Sequence, residues 1–397
     1  MYSDHSVEIK FNTLLGKRIA LCVTGGIAAV ETVKLARELR RYGAEVKAYM
    51  TASSQKFITP LALEWAVEAP PIADLTGRVE HIVECDLVLV APATLNTINK
   101  VALGLADNVV TTLIASQWGK KMPIVFVPTM HESLAQNPVL KKNLAFLTEQ
   151  KNIYFIETKH EEGKEKFPKI ETIVSQVSHL LNKTHHPLSG KKILITGGPT
   201  QAPIDPVRHI GNFSTGELSV RLAHELYLRG ALPTLVYGPG CFKPHSFYTV
   251  LSVQTPAEMM ETVLSELQYQ QYQAAIFAAA VLDHVPTHVE DKKLSSAEKL
   301  EVEFIQTPKI IREIDKVTQV FKIGFKLEWK KTKEELLKLG NEALESMNVH
   351  VVIANDLFQI SNQQHPALIL DRNNSMLQVN SKEEIIKTII QKLEHAL

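Results

Sequence analysis

The same opening occurs twice in this chain. Residues 16–51, GKRIALCVTGGIAAVETVKLARELRRYGAEVKAYMT, run from a basic start through an apolar run to a Thr-Gly-Gly turn, an amphipathic helix pattern ending in Gly, and a second apolar run. Residues 190–200, GKKILITGGPT, repeat the start, and residues 214–239 supply the helix and the second run. A strand, a helix and a parallel strand in this order open a doubly wound sheet. The repeat therefore predicts two α/β domains, residues 1–181 and 191–397, joined by the polar linker 182–190, NKTHHPLSG.

The remaining apolar runs alternate with helix-like segments, as this fold requires. In the first half they are DLVLVAP, PIVFVP and IYFIE, and in the second half AAIFAAA, VFKIGFKL and VHVVIAND. A predicted hairpin, ALILDRNNSMLQV, and a helix from Ser381 close the chain. Ligands of doubly wound sheets bind at the carboxyl ends of the strands. We therefore expect the site residues in the loops that follow these runs.

Composition narrows the class of protein. Lys plus Arg and Asp plus Glu both number 43, which gives no sign of a nucleic-acid or acidic membrane surface. The three cysteines form no CxxC pair, so neither a zinc site nor a disulfide framework is indicated. Residues 1–18 lack the apolar core of a signal peptide, and no run approaches the roughly 18 apolar residues of a membrane span. We expect a cytoplasmic protein.

Glycines and small polar residues follow the strands of the first half. Gly25 and Gly26, in TGGIAAVE, allow the backbone to approach a ligand closely, and the helix beyond them favours an anion. Tight turns also need glycine when no ligand is present, so this pattern alone has two interpretations. Three further stretches follow predicted strands: MTASSQKFITPLAL, APATLNTINKVALGLADNVVTT and VPTM. Their Thr and Asn side chains can hydrogen-bond a polar ring edge or a ribityl chain without adding charge.

These stretches, in this order, resemble a known family. TGGIAA, MT-x6-ITPLAL and APAT-x-NTI-x-K-x-A-x-G-x-ADN are similar to the FMN-binding cysteine decarboxylases, in particular to the N-terminal half of bifunctional phosphopantothenoylcysteine decarboxylase/phosphopantothenate–cysteine ligases. The resemblance implies a flavodoxin-like domain whose FMN carries the redox chemistry. It assigns the flavin phosphate and ribityl chain to Thr24, Gly25, Gly26 and Ser53. It assigns the flavin surroundings, or the subunit contact beside them, to Ala93, Thr94, Asn96, Asp107 and Asn108.

The resemblance also implies three catalytic positions in this half, and the sequence departs from the family at them. The family histidine corresponds to His81, at a spacing from Asp86 about one helical turn shorter than in the family, so His81 is expected either on a helix face toward the flavin or on an ordinary surface helix. His131, in PTMHESL, replaces the Asn that binds the substrate carboxylate, and an imidazole can still donate a hydrogen bond to a carboxylate. The flap segment, residues 157–174, contains no Cys and is expected to be a solvated loop, while Cys22 is expected to be buried.

The second half carries the most specific stretch, ITGGPTQAPIDPVRHIGNFSTGE at residues 195–217. Gly197 and Gly198 offer a backbone cradle after a strand. Asp205 and Arg208 are either a structural ion pair or a site where Arg208 binds phosphate with its guanidinium. The residues placed to cap the next helix, whose N-terminus can accept a phosphate, are Ser214, Thr215 and Gly216.

This stretch is similar to the ligase signature of the same bifunctional family, so the resemblance covers nearly the whole chain. It implies a Rossmann-like domain in which the carboxylate of 4'-phosphopantothenate attacks a nucleoside triphosphate, and the acyl-nucleotide then reacts with cysteine. Asn212 and Lys293 take catalytic roles by resemblance. The spacing from Asp283 supports Lys293, although a Lys in VEDKK is often only a solvated charge. The implied nucleotide contacts are Gly197, Gly198, Ser214, Gly216, Asp283, Lys293, Thr307, Pro308, Lys309, Ile310, Phe325 and Lys326.

Departures from the ligase pattern concern the nucleotide. Glu217 stands where the family often has Lys or Arg, and the segment before VIAND lacks two lysines expected to bind the triphosphate. FKLE at 325–328 resembles the human-type ligases, which prefer ATP, whereas bacterial members usually use CTP. Lys326 is expected to supply some of the missing charge. Mg²⁺ and fixed donors are expected to stabilise charge on the phosphate and acyl oxygens.

As a whole, the resemblance predicts an enzyme of coenzyme A biosynthesis that ligates phosphopantothenate to cysteine and decarboxylates the product to phosphopantetheine. It implies a homo-oligomer with trimers of the flavin domain and dimers of the ligase domain. Two alternatives remain open: a ligase-only paralogue whose flavin domain is a non-catalytic binding or assembly module, and a protein that binds flavin or nucleotide for regulation without catalysis. The retained Asn212, Asp283 and Lys293 favour an active ligase, whereas the missing flap Cys favours partial loss.

Overall fold

The computed structural model describes residues 6–161, 164–295, 300–361 and 364–397. The chain divides into two compact units, Met1–Asn182 and Lys183–Leu397, and this division falls in the predicted linker. Within the ranges given above, no helix is both long and apolar enough to cross a membrane.

The first unit is built on a parallel sheet with the strand order β2-β1-β3-β4-β6. Its strands are β1 (Arg18–Val23), β2 (Glu45–Met50), β3 (Leu87–Ala93), β4 (Ile124–Pro128), β5 (Met130–His131), β6 (Ile153–Phe155), β7 (Lys159–Glu161) and β8 (Lys164–Lys166). Its helices are α1 (Thr32–Arg41), α2 (Pro60–Val67), α3 (Leu95–Ala102), α4 (Val109–Gly119), α5 (Glu132–Ala135), α6 (Pro138–Thr148) and α7 (Ile170–Asn182). This is the flavodoxin-like order, with its switch point between β1 and β3, as the sequence predicted.

Continuous apolar runs form the central strands because both faces of a parallel sheet are covered. Every residue of β3, LVLVAPA, is buried. Val88 and Val90 of β3 and Phe126 of β4 share one core cluster with Ile98 of α3 and Leu113 of α4. Polar residues therefore appear where the strands end, and these ends carry the loops of the candidate site.

The predicted solvated loop at residues 157–174 is wrong in part, because the segment contains a hairpin. Strands β7 and β8 pair antiparallel, and β8 also pairs with β5, where Met130 lies opposite Glu165 and His131 opposite Lys164. Glu162 and Gly163, which belong to the predicted flap, lie outside the described residues. Composition did not reveal this sheet, since backbone pairing with a distant strand depends little on side-chain charge.

The second unit has an eight-stranded sheet in the order β13-β12-β9-β14-β17-β18-β19-β20. Its strands are β9 (Lys192–Gly197), β10 (Gln201–Pro203), β11 (His209–Gly211), β12 (Leu232–Tyr237), β13 (Thr249–Ser252), β14 (Ala274–Phe277), β15 (His284–Pro286), β16 (Phe304–Gln306), β17 (Phe321–Glu328), β18 (Val351–Asp356), β19 (Ala367–Asp371) and β20 (Met376–Val379). Its helices are α8 (Glu217–Leu228), α9 (Pro256–Tyr269), α10 (Ile310–Glu313), α11 (Lys333–Ser346) and α12 (Lys382–Ala396). The first six strands of this sheet are parallel and follow the Rossmann order, which confirms the predicted fold.

Two short antiparallel ladders accompany the large sheet. β10 pairs with β11, and β15 pairs with β16. Each ladder lies in chain segments that follow β9 or β14, the two strands that flank the switch point. The last two strands, β19 and β20, form the predicted C-terminal hairpin, and Ser381 caps α12.

Candidate functional site

In the first unit, Thr24 joins the loops that follow β1 and β3. Its hydroxyl donates to the Pro92 carbonyl at 2.7 Å and accepts from the Thr94 backbone N–H at 3.2 Å. Thr94 in turn caps α3 by accepting from the Thr97 N–H. The two loops on either side of the switch point therefore form one fixed floor at the carboxyl edge of the sheet.

Gly25 allows the loop after β2 to pack against the loop after β1. A Cβ built on Gly25 would lie 2.4 Å from the Cβ of Ser53, closer than side-chain carbons approach. The Ser53 side chain is exposed, and its hydroxyl has no partner among the described residues, whereas the neighbouring Ser54 is buried and donates to the Thr51 carbonyl. A free hydroxyl beside a glycine backbone at a strand end is the kind of cradle that a phosphate needs.

His131 lies at the same edge of the sheet. Thr129 donates its backbone N–H to the Ala93 carbonyl at 3.1 Å, which joins the loop after β4 to the loop after β3. His131 caps α5, and its Nδ1 accepts the Ser133 N–H at 3.3 Å. Since a backbone N–H can only donate, this bond and the Ser133 hydroxyl, 3.0 Å from Nδ1, both fit the tautomer whose proton is on Nε2. Sequence reasoning missed this capping role.

His81 is not on a helix, so the helical argument for its orientation is wrong. It lies in a turn, and its backbone carbonyl accepts from the Gln117 side chain at 3.4 Å. Gln117 is near the C-terminal end of α4, from which the chain enters β4 at the amino edge of the sheet. Thr24 and Thr94 lie at the opposite, carboxyl edge.

Asp107 and Asn108 lie at the start of α4. Asn108 caps this helix, and its Nδ2 donates to Asp107 at 2.9 Å. The hydrogen bond from Lys100, at 2.5 Å, holds the pKa of Asp107 below its usual range. Both side chains thus have structural partners, while Asn96 is exposed in the first turn of α3.

The cysteines of this unit are unsuited to acid–base work. Cys22 and Cys85 are both buried, and burial raises the pKa of each thiol, that of Cys85 to about 11. The third cysteine, Cys241, belongs to the second unit and is exposed.

In the second unit, the loops after β9 and β14 meet at the switch point. The Ala280 N–H donates to the Gly198 carbonyl at 2.9 Å, and the Thr200 hydroxyl accepts from the Leu282 N–H at 3.0 Å. Asn212 reaches this junction, where its Nδ2 donates to the carbonyls of Ala280 and Val281, both at 3.2 Å. The amide nitrogen is thereby engaged, and Oδ1 remains to accept from a ligand.

The start of α8 depends on Gly216 rather than on a capping side chain. Gly216 has φ +76°, and a Cβ there would lie 2.0 Å from the Tyr237 hydroxyl oxygen. Thr215 contributes its Oγ1, which accepts from the Glu217 N–H at 3.3 Å. Of the three residues expected to cap this helix, Ser214 makes no capping contact among those described, because the left-handed turn at Gly216 carries the chain into the helix.

The remaining nucleotide candidates differ in whether their side chains have a polar group or charge that could bind a nucleotide. Lys309 forms an ion pair with Asp283, and the Thr307 hydroxyl donates to the Leu282 carbonyl at 2.6 Å. Lys326 pairs with Glu328 at 2.9 Å, so its charge is partly neutralised. The remaining three candidates do not offer free polar side chains: Ile310 is buried, Phe325 packs partly against the core, and Pro308 is exposed.

Glu217 forms ion pairs with two cations, one of which is distant in the chain. It forms ion pairs with Lys382, the first residue of α12, and with Arg221 at 3.3 Å. Burial opposes ionisation of Glu217, but these two cations outweigh it and leave the pKa of Glu217 below its usual value. Lys382 lies 165 residues away in the chain, so no local pattern pointed to it.

Known proteins resemble both units. The family model "Flavoprotein" matches residues 9–182, and the model "DNA/pantothenate metabolism flavoprotein C-terminal domain" matches residues 188–397. The "Coenzyme A biosynthesis bifunctional protein CoaBC" of Thermococcus kodakarensis is 37% identical over 99% of this chain and 100% of its own length. The protein of the same name from Methanocaldococcus jannaschii is 35% identical over 97% of this chain and 95% of its own. A solved DNA/pantothenate metabolism flavoprotein from Streptococcus pneumoniae is 28% identical, covers 52% of this chain and 99% of its own, and has a TM-score of 0.48.

Proposed function

The chain belongs to the family of bifunctional coenzyme A biosynthesis proteins named CoaBC, and on that premise we propose how its two activities divide between the units. The second unit ligates 4'-phosphopantothenate to cysteine, and we assign it to residues 191–397. The first unit decarboxylates the product, phosphopantothenoylcysteine, with FMN, and we assign it to residues 1–181. The observation that carries the assignment is the junction at the second switch point, where Asn212 is held by two carbonyls.

The ligase reaction requires donors and cations around two successive centres. A carboxylate oxygen of phosphopantothenate bonds to the α-phosphorus as the bond to pyrophosphate breaks. The cysteine nitrogen then bonds to the acyl carbon as the nucleoside monophosphate leaves with the electron pair. Lys293 is exposed and supplies a cation for the charge that develops on phosphate and acyl oxygens. Asn212 Oδ1 accepts from the cysteine amine and orients it toward the acyl carbon.

For the nucleotide, we propose that Lys309 binds the phosphates and so partly replaces the lysines that α11 lacks. Lys309 lies at the start of α10 beside Asp283. Mg²⁺ is usually bound through one or two carboxylates together with substrate phosphates, and Asp283 can supply one such carboxylate. If Mg²⁺ is bound, Asp283 would be one of its ligands, and Lys309, which now pairs with Asp283, would contribute a positive charge for the phosphates.

The residues of the first unit fit FMN. Gly25 keeps open the contact with Ser53, whose hydroxyl has no partner in the part of the chain that the structure describes, and Thr24 fixes the adjoining loop. When bound there, FMN supplies the two-electron chemistry that makes the carboxylate of the substrate a leaving group. The His131 Nε2–H donates to that carboxylate and orients it. With no cysteine in the flap, any proton required after decarboxylation must come from another donor or from solvent.

A ligase-only enzyme is the second candidate. It is favoured by the absence of cysteine from residues 157–174 and by His131, whose ring already serves as a helix cap. In that case the first unit binds FMN or supports assembly without turning over substrate.

We further propose a cytoplasmic homo-oligomer, with trimeric flavin domains and dimeric ligase domains. The first unit supports this proposal through exposed apolar side chains: Ile27, Leu61 and Leu103 are 65–73% exposed. Covering such side chains is favourable in water. Light scattering on the purified chain measures the assembly.

A split assay on the purified protein tests the function. Pyrophosphate release with phosphopantothenate, cysteine and either CTP or ATP measures the ligase and identifies the nucleotide. Carbon dioxide release from phosphopantothenoylcysteine measures the decarboxylase. A yellow protein that performs both reactions is the expected result. Pyrophosphate without carbon dioxide selects the ligase-only candidate, and a protein that cannot bind FMN contradicts the flavin assignment.

A further inference from the structure

Asp205 is a buried carboxylate in the turn between β10 and β11, and all of its contacts are made within the second unit. Its residue exposure is only 3%. Oδ1 accepts from the Val207 N–H at 2.8 Å and the Arg208 N–H at 2.7 Å, which close the turn. Oδ2 accepts from the Arg208 guanidinium at 2.6 Å and from the Leu294 N–H at 3.1 Å. One oxygen thus serves the local turn, and the other reaches a segment almost 90 residues away.

That distant segment carries Lys293. The Leu294 carbonyl accepts from both terminal nitrogens of Arg208, at 3.3 and 3.4 Å, so both backbone polar groups of Leu294 are held. Upstream, the Glu290 N–H donates to the Ile204 carbonyl at 2.9 Å. Lys293 therefore projects from a short stretch that is attached at both sides to the 204–208 turn.

The same turn leads directly to the other proposed catalytic residue. β11 follows Arg208 and ends at Gly211, and Asn212 then bonds the carbonyls at the switch point. An extended strand of three residues is a stiff connection of about 10 Å. The turn therefore holds the Lys293 segment at one end of this connection and Asn212 at the other.

We infer that Asp205 is a positioning residue of the ligase, which through Arg208 and Leu294 holds the Lys293 amine in register with Asn212. The inference rests on the proposed function for the roles of those two side chains. The Asp205–Arg208 pair is then neither a passive ion pair nor a phosphate site. It clamps the segment that carries the catalytic cation.

The substitution Asp205→Asn separates the two duties of this side chain. The Asn Oδ1 can still accept from Val207 and Arg208 and keep the turn. The Asn Nδ2 then faces the Arg208 guanidinium and the Leu294 N–H, which are both donors, so the clamp on Leu294 is lost. Loss of a hydrogen bond to a charged group destabilises the closed segment, so in Asp205→Asn the segment should open about 10- to 100-fold more often. Asp291→Asn is the matched control, since Asp291 is an exposed carboxylate of the same segment.

Two measurements on the full chain test the inference. The first is the rate at which trypsin cuts the Lys293–Leu294 bond, whose N–H Asp205 binds. We expect Asp205→Asn to increase it about 10-fold or more, with Asp291→Asn unchanged, since cutting follows the open population. The second is a double-mutant cycle of Asp205→Asn and Lys293→Ala on pyrophosphate release. We expect Asp205→Asn to lower kcat/KM about 10- to 100-fold in the wild-type background and less than about twofold with Lys293→Ala.

Each outcome decides a separate claim. An unchanged cutting rate in Asp205→Asn overturns the clamp. Faster cutting with undiminished activity, or an equal loss in both backgrounds of the cycle, overturns the positioning role. Faster cutting with a loss that requires Lys293 supports it. If the wild-type chain releases no pyrophosphate with either nucleotide, the proposed function fails and the positioning role fails with it, while the cutting rate still decides whether the clamp exists.

Discussion

Replacement of Gly25 by alanine tests whether the close approach of two loops forms the flavin site. In Gly25→Ala the new Cβ would lie 2.4 Å from the Ser53 Cβ and 3.0 Å from the Ser53 carbonyl carbon. Carbon atoms pack at about 3.5 Å, so the loops after β1 and β2 must separate by about 1 Å. Overpacking of this kind costs about 1–3 kcal/mol. If that cost falls on the flavin-bound arrangement, FMN affinity drops about 5- to 150-fold.

The assay is a titration of flavin-free protein with FMN, followed by flavin fluorescence. Gly26→Ala is the matched control, because its Cβ would meet only the Thr94 methyl group at 3.6 Å, an ordinary contact, and its φ of −160° suits any residue. We expect Gly25→Ala to weaken binding much more than Gly26→Ala. Ligase activity in the same samples shows that the second unit is folded, and an unchanged urea-unfolding transition shows that the first unit is folded. Equal FMN affinity in Gly25→Ala and wild type would refute the reasoning.

Three further changes have defined outcomes. Gly216→Ala should abolish most pyrophosphate release, because its φ of +76° and the 2.0 Å approach of a Cβ to the Tyr237 hydroxyl both oppose a side chain. His131→Asn should raise carbon dioxide release, because Asn caps a helix as well as any residue and offers a smaller amide donor to the carboxylate. Asp371→Asn should reduce the fall in the free energy of unfolding that wild type shows at acid pH. Burial alone would raise the pKa of Asp371, but Lys392, Ser375 and two backbone N–H groups together lower it to about 2.

The sign of the Asp371 effect follows from linkage. A carboxyl whose pKa is depressed by folding stabilises the native state above its unfolded pKa, and this contribution disappears as pH falls from about 4 to about 2. The difference corresponds to about 2 kcal/mol at neutral pH. Urea unfolding of wild type and Asp371→Asn at pH 7 and pH 2.5 measures it, and an equal difference at both pH values would contradict the assignment.

Controls distinguish the other two predictions. For Gly216→Ala, retained FMN binding shows that the first unit is intact, and unaltered ligase kinetics would mean that the left-handed turn is dispensable. For His131→Asn, the comparison is His131→Ala, which removes both the cap, worth about 1 kcal/mol, and the substrate contact. Slower decarboxylation in His131→Asn than in wild type would show that the imidazole has a role that an amide cannot perform.

The sequence predicted the two sheets well because a run of apolar residues indicates a strand that is buried on both faces. β3 is an unbroken apolar run and β18 begins with one, VVIA, and both strands are buried throughout. It failed where structure depends on a distant partner. The β7–β8 hairpin forms against β5 although its segment is highly charged, and the turn at His81 replaces the expected helix.

Sequence alone determined the fold class and the twofold α/β plan, and it predicted which loops carry chemistry, because strand and helix periods and glycine turns are local properties of the chain. Only the tertiary structure decided what individual side chains do. It assigned the His131 ring to a helix cap, paired Glu217 with Lys382, and made Asp205 the attachment point for the segment of Lys293. Hydrogen bonds and ion pairs join residues that are far apart in the chain, so their partners are defined only when packing brings the segments together.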